Sequence, residues 1–458
     1  MQITYQELLA QAQQASQSED WALLSQCLHQ LLLSEETPTA QGGLTDSQAA
    51  TLLDLSLQVL EFGSFQERWE ATKLIPALSI DADASQFPAA IAPQVPKGIA
   101  PLIEFLEDDD ADPDVQWFAI RALSGFSHPS VITALIAVLK SSDNQELHSI
   151  TITALAQLGK PIIPALAELI RDDSTRFVAV QTLGHIRHSE TVPVLLEVVN
   201  DPDAQIRAIA VEALGSFHSP QIAKALVQAL SDRSTPVRRA AVSALGFCTS
   251  DDLGNLDVVA YLRPLLRDLD VEVCCQCAIA LSRLGTIAAI DALDEVLHSP
   301  HTPDRLLLEV IRSLGWLNRP EALQRLHQAL TDLPSDEIRL EIVTTLGRII
   351  SADLKGEATQ ILLEAMTEDS DFATSAPTRQ AIALSLGQLG DQRAIDPLIR
   401  LLADPDVGVR LHVISALKTL DPIGAHHALE ELSKAEDLPA ELAEGVAIAL
   451  QEWNINSV

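Results

Sequence analysis

Aromatic residues make up only 4% of this 458-residue chain, with two Tyr, five Trp and ten Phe. With 47% of residues hydrophobic, the core has to be built from Ala, Leu, Val and Ile. Basic residues are scarce too: 30 Lys and Arg stand against 64 Asp and Glu, a formal charge of −34. Such a surface repels phosphate backbones and anionic membranes, which argues against general nucleic-acid or membrane binding. It favours solubility, and it attracts a partner with a basic face. The five cysteines are odd in number and lack disulfide-scaffold spacing, which fits a reducing, cytoplasmic compartment. No apolar run is long enough to span a bilayer, and the stretch from Met1 to Glu7 has no signal-peptide pattern. Gly-rich phosphate loops, nucleophile elbows and zinc-protease helices are missing as well.

What the chain has is a repeat. An apolar residue and an Arg lead through small residues to Ala-Leu-Gly or a variant of it. Ile206-Arg207 runs to Leu214-Gly215, Val237-Arg238 to Leu245-Gly246, Ile338-Arg339 to Leu346-Gly347, and Val409-Arg410 to Leu417. Weaker copies place the closing leucine at Leu123, Leu155, Leu183, Leu281, Leu314 and Leu386. A period of roughly thirty-odd residues is what a stack of helix pairs requires. It predicts an all-α, alpha-alpha superhelix of about ten or eleven units with a helical N-terminal cap. The Gly after each closing leucine suits a φ > 0 position that ends a helix.

The predicted organisation is a helical cap at 1–44, a divergent first repeat and Pro-rich linker at 45–96, repeats at 97–436, and a capping helix and tail at 437–458. Residues 3–16 and 20–34 read as helices, with Asp20 an N-cap for the second. Trp69 and Lys73 align with Trp117 and Arg121, which marks the segment around Trp69 as an early repeat. A second interruption is expected at 351–376, with Asp369–Ser375 as a loop or helix extension.

Asp201-Pro202-Asp203 before Arg207 and Asp404-Pro405-Asp406 before Arg410 resemble the turn and second helix of HEAT repeats of the phycobilisome-lyase type. Ala383 to Asp391, followed by Ala394-Ile395, resembles the joint between such units. Stretches such as Gln66 to Glu70, Leu214 to Pro220 and Glu272 to Cys274 also resemble cyanobacterial HEAT-repeat partners of A-type iron–sulfur carriers. The resemblance implies a non-catalytic, protein-binding scaffold whose concave face engages an iron–sulfur carrier protein. The alternative it implies is a bilin lyase acting on phycobiliprotein subunits, with an iron–sulfur cluster or a transient bilin as the cofactor in the respective cases. In the lyase case Arg121, Arg239 and Arg312 would meet bilin carboxylates. The family also includes deoxyhypusine hydroxylase, whose irons are held by His-Glu pairs; no His here is followed by Glu, so that assignment is rejected.

Three residue sets are candidate sites. Arg176, Arg207, Arg238, Arg339, Arg379 and Arg410 form one column, with Asp173, Asp203, Asp232, Asp336, Asp371 and Asp406 in the preceding turns. The structural reading is a ladder that ties turns together; the functional one is an anion groove. Cys274 replaces the Arg of this column, and Cys277 replaces a buried Ala. With Cys248 from the preceding repeat they could hold a cluster or thiophilic metal, against the plain reading of core packing. Finally, a polar column with two preceding tryptophans marks a partner-binding face: Trp69, Lys73, Trp117, Arg121, Gln181, Glu212 and Arg312, with Arg239 beside it. The plain reading is that the tryptophans fill gaps between irregular repeats.

Overall fold

The computed structural model describes residues 5–33, 46–77, 95–108, 111–126, 128–142, 144–249, 256–333, 335–366, 375–435 and 437–455. The expected Pro-rich linker, Asp371 and most of Asp369–Ser375 lie outside the described residues. All regular structure among those described is helical. Contacts divide the chain into two compact units, Met1–Phe217 and His218–Val458.

The first unit starts with the helices Tyr5–Gln17 and Trp21–Leu33. Asp20 caps the second, accepting the Leu23 amide at 3.1 Å, as the sequence indicates. Helix pairs follow at 46–62 and 65–77, 95–107 and 113–123, 129–141 and 145–158, 163–169 and 176–185, and 191–198 and 204–214. Each second helix packs on the next from 65–77 to 204–214, which makes one continuous layer.

In the second unit the second helices are Thr235–Leu245, Val271–Leu284, Asp304–Trp316, Asp336–Gly347, Ala376–Leu389 and Val407–Leu420. They too pack in series, and a last pair, Pro422–Leu432 and Ala440–Ile455, ends the stack. Half of the expected interruption at 351–376 is itself a helix, Ala352–Glu364, that packs on Ala376–Leu389. No single described helix is long and apolar enough to cross a membrane.

The repeat consensus explains this layering. In the helix Thr235–Leu245, Val237, Ala241, Val242 and Leu245 are buried, and equivalent positions are buried in Ala204–Leu214. That i, i+4, i+8 spacing is one helical face. Small Ala residues at its centre allow neighbouring helices to approach closely.

The glycine after the closing leucine has a different role from the one expected. Gly215 and Gly246 have φ of −61° and −67°, ordinary right-handed values. The reason for glycine is lateral packing. A Cβ on Gly246 would lie 2.9 Å from Ala280 Cα of the next second helix. Left-handed glycines do occur, at Gly159, Gly285 and Gly390, but beyond the consensus position.

Candidate functional site

The Asp-x-Asp turns and the Arg column form a ladder inside each unit. The first Asp of the turn closes it: the Asp201 carboxylate accepts the Asp203 amide at 2.8 Å, and Asp404 accepts that of Asp406 at 2.8 Å. The second Asp caps the helix, as Asp203 does by accepting the Gln205 amide at 2.8 Å. The Arg six residues after the first Asp then donates back to that turn's carbonyl. Arg207 reaches the Asp201 carbonyl at 2.8 Å, Arg238 that of Asp232 at 2.9 Å, and Arg410 that of Asp404 at 3.1 Å.

Some arginines of the column also reach on to the next repeat of the same unit. Arg238 grips Asp268 with Nε and Nη2, both at 2.7 Å, and Arg379 grips Asp404 at 2.5 and 3.0 Å. Arg176 lies 3.6 Å from Asp201 and pairs with Asp173 of its own turn at 2.5 Å. The inter-repeat acceptor is thus the first Asp of the following turn. Burial pushes the Asp268 carboxyl up, but hydrogen bonds from Arg238 and the Asp270 amide outweigh this and hold it below the usual range. These guanidiniums are committed to turns, so the ladder is architecture.

The cysteines follow the same geometry. Cys274 Sγ lies 3.3 Å from the Asp268 carbonyl, the carbonyl six residues back that an Arg takes elsewhere. Cys277 is fully buried, with Sγ 3.1 Å from the Leu262 carbonyl, and Cys248 Sγ lies 3.6 Å from the Ala244 carbonyl. Burial pushes the Cys274 and Cys277 thiols up, and Cys275 up to about 11. Thiols bonded to three separate carbonyls suit packing, whereas a metal ligand must be a thiolate. No group of three or more His, Cys, Asp or Glu among the described residues could hold a metal ion.

The N-terminal aromatic residues do come together. Trp69, on the helix Phe65–Ala77, stacks on Trp117, on the helix Pro113–Leu123, with centroids 6.3 Å apart and planes at 20°. Phe65 stacks on the other end at 6.4 Å, and Phe118 meets Phe65 and Trp117 edge-on at 5.3 and 5.0 Å. The Arg121 guanidinium lies 3.9 Å above the Trp69 ring, and Lys73 Nζ lies 5.9 Å from it. Lys73 is also tethered to Glu70 at 2.9 Å. Phe118 is the buried floor, whereas both tryptophans and Arg121 are half-buried and Phe65 is 66% exposed. The cluster therefore combines a rooted base with an accessible cation–aromatic face.

The remaining predicted residues lie elsewhere. Gln181 and Glu212 sit on later second helices of the first unit, half-buried and exposed. Arg239 and Arg312 belong to the second unit; both are exposed, and Arg312 is bound to Glu341 at 2.6 Å. Sequence reasoning missed Phe65 as a member of the cluster. Its position four residues before Trp69 on one helix was the available signal.

Known proteins agree on the architecture. The HEAT repeats model matches residues 99–179, 163–246, 223–308, 301–376 and 373–451. No curated protein matches this chain in sequence. Among solved structures, Kap95p, the yeast importin-β, in complex with RanGDP is 15% identical, with 94% of this chain and 66% of that chain covered and a TM-score of 0.54. The chain thus spans just under two thirds of the length of Kap95p. Human deoxyhypusine hydroxylase is 21% identical over 55% of this chain and 95% of that one, with a TM-score of 0.25. The CpcE–CpcF phycocyanin lyase of Nostoc is 20% identical over 57% of this chain and 94% of that one, with a TM-score of 0.28. The matched repeats extend over more than half of the sequence, and the chain belongs to the HEAT-repeat family.

Proposed function

We propose that this protein is a non-catalytic binding scaffold that captures a folded protein partner on the second-helix side of its N-terminal unit. The observation that carries the reading is the stack of exposed Phe65 with half-buried Trp69 and Trp117, with Arg121 lying on it. Trp and Arg are the residue types that dominate interface energetics. Here their rings are already held in place by Phe118, so docking costs little side-chain entropy. Gln181 and Glu212, further along the same unit, would contribute polar contacts. The same fold in Kap95p holds a protein partner, RanGDP, which supports this use of a HEAT-repeat stack.

The sequence resemblance points to an A-type iron–sulfur carrier as the partner. Any cluster would travel with the carrier, since Cys274 and Cys277 of this chain are engaged in its core. The test is calorimetric titration of a purified A-type carrier into the full-length protein, its Arg121→Glu variant and its Trp69→Ala variant. Saturable binding that weakens at least tenfold in both variants, with unchanged circular dichroism, supports the proposal. No binding of the carrier, alongside Arg121-dependent binding of a phycobiliprotein subunit, would move the chain to the bilin-lyase reading. Equal binding by all three proteins would remove the aromatic face from the interface.

A further inference from the structure

The residue two places after each closing leucine lies at the end of a second helix. In four successive units of the C-terminal half these residues are Phe247, Arg283, Trp316 and Arg348, after Leu245, Leu281, Leu314 and Leu346. The row alternates aromatic and cation. All four side chains are exposed, Phe247 at 56% and Trp316 at 80%. The four helices pack side by side in sequence, so equivalent positions form a strip.

Local geometry divides the strip into two aromatic–arginine pairs. The Arg283 guanidinium lies 4.0 Å above the Phe247 ring. Trp316 and Arg348 line a cavity of about 240 Å³ together with Arg312, Thr345 and Ile350, and Ile350 is itself 78% exposed. Gly315 allows the helices to close up beneath this cavity, since a Cβ there would lie within 2.2 Å of a Thr345 methyl. The cavity floor is thus fixed by packing, not by Trp316.

We propose that this strip docks an extended acidic segment of another protein, with an apolar residue seated between two carboxylates. Large exposed apolar side chains rimmed by polar groups mark interaction surfaces. Charge decides the occupant. Arg312 is already neutralised by Glu341, but Arg283 and Arg348 make no ion pair among the described residues, in a chain with 64 acidic side chains. Two uncompensated guanidiniums, each a planar fork that fits a carboxylate, select an anionic ligand locally. The net charge of −34 opposes such a ligand at a distance, but is screened within about 8 Å at physiological salt.

Spacing gives the motif. Packed helices stand about 8–10 Å apart, and an extended chain advances about 3.3 Å per residue. One helix step therefore equals about three residues. Acidic side chains about three residues before and after an apolar one would meet Arg283 and Arg348, with the apolar group on Trp316 and Ile350. This site lies in the second unit and is independent of the aromatic face proposed above.

The test uses full-length protein and a fluorescein-labelled peptide, Glu-Glu-Gly-Phe-Gly-Glu-Glu, read by anisotropy. Saturable binding that falls at least tenfold in Trp316→Ala and in Arg348→Glu, while Trp69→Ala leaves it unchanged, supports the strip. Trp316 is largely exposed, so its replacement leaves the fold intact, which circular dichroism checks. Equal binding of a Lys-Lys-Gly-Phe-Gly-Lys-Lys peptide would overturn the proposal, as would insensitivity to Trp316→Ala or no saturation at millimolar peptide. A dimer in sedimentation that Trp316→Ala dissolves would assign the strip to a second copy of the chain and also overturn it.

Discussion

Replacing Arg238 by Met should be among the most damaging changes on the Arg ladder. Its guanidinium makes two 2.7 Å hydrogen bonds to Asp268 and one of 2.9 Å to the Asp232 carbonyl. The two side chains are only 14% and 9% exposed. Removing the cation leaves a carboxylate buried without its counter-ion, which costs about 3–5 kcal/mol. Arg410 is the natural control. It donates to its own turn at the Asp404 carbonyl, but its Nε has no hydrogen-bond partner among the described residues. Arg410→Met should therefore cost only about 1 kcal/mol, the worth of an ordinary hydrogen bond.

Native-state hydrogen exchange can read both variants. At 1.4 kcal/mol per tenfold, slow amides in the helix Val271–Leu284 should exchange at least a hundredfold faster in Arg238→Met. Those in Val407–Leu420 should exchange only about fivefold faster in Arg410→Met. The pH dependence has a definite sign. Asp268 is held below its unfolded value, so its contribution is present above about pH 4 and is lost as pH falls through the folded pKa. The urea midpoints of wild type and Arg238→Met should converge in acid. Equal exchange effects in the two variants would refute the inter-repeat role of the ladder.

Three further outcomes follow from the same geometry. Gly246→Ala should destabilise the second unit by about 1–3 kcal/mol in urea unfolding, because its Cβ would meet the Ala280 backbone at 2.9 Å; a neutral result would mean that the helices can separate freely. A native maleimide reaction should label half-exposed Cys248 and spare Cys277, which is fully buried with its thiol pushed up. Comparable labelling rates, mapped by mass spectrometry, would contradict the packing role. Asp203→Ala should cost about 1 kcal/mol through the lost cap on the Gln205 amide, and an unchanged thermal midpoint would show the cap to be dispensable.

The fold was legible because the repeat states it many times. Each copy carries the buried spacing seen at Val237, Ala241 and Leu245, and the copies sum to a stack. The Trp69–Trp117 stack was legible for the same reason, since both residues hold one register in neighbouring repeats. The carboxylate partner of each arginine was harder to find. Arg238 meets Asp268 thirty residues on, across a turn whose path the local sequence does not reveal. The glycine at the consensus position was misread because a local rule, helix termination, fits it as well as the lateral contact that Gly246 makes with Ala280. Phe247, Arg283, Trp316 and Arg348 escaped notice because no residue type recurs from one copy to the next. Only register on packed helices places them in a row.

On the proposed reading, the N-terminal aromatic face is where this HEAT-repeat protein meets its partner. The most direct measurement is a hydrogen-exchange footprint of the full-length protein with a purified A-type iron–sulfur carrier. The account predicts slowed exchange in Phe65–Ala77 and Pro113–Leu123, where Trp69, Trp117 and Arg121 reside. A stable complex that leaves both helices unprotected would contradict it.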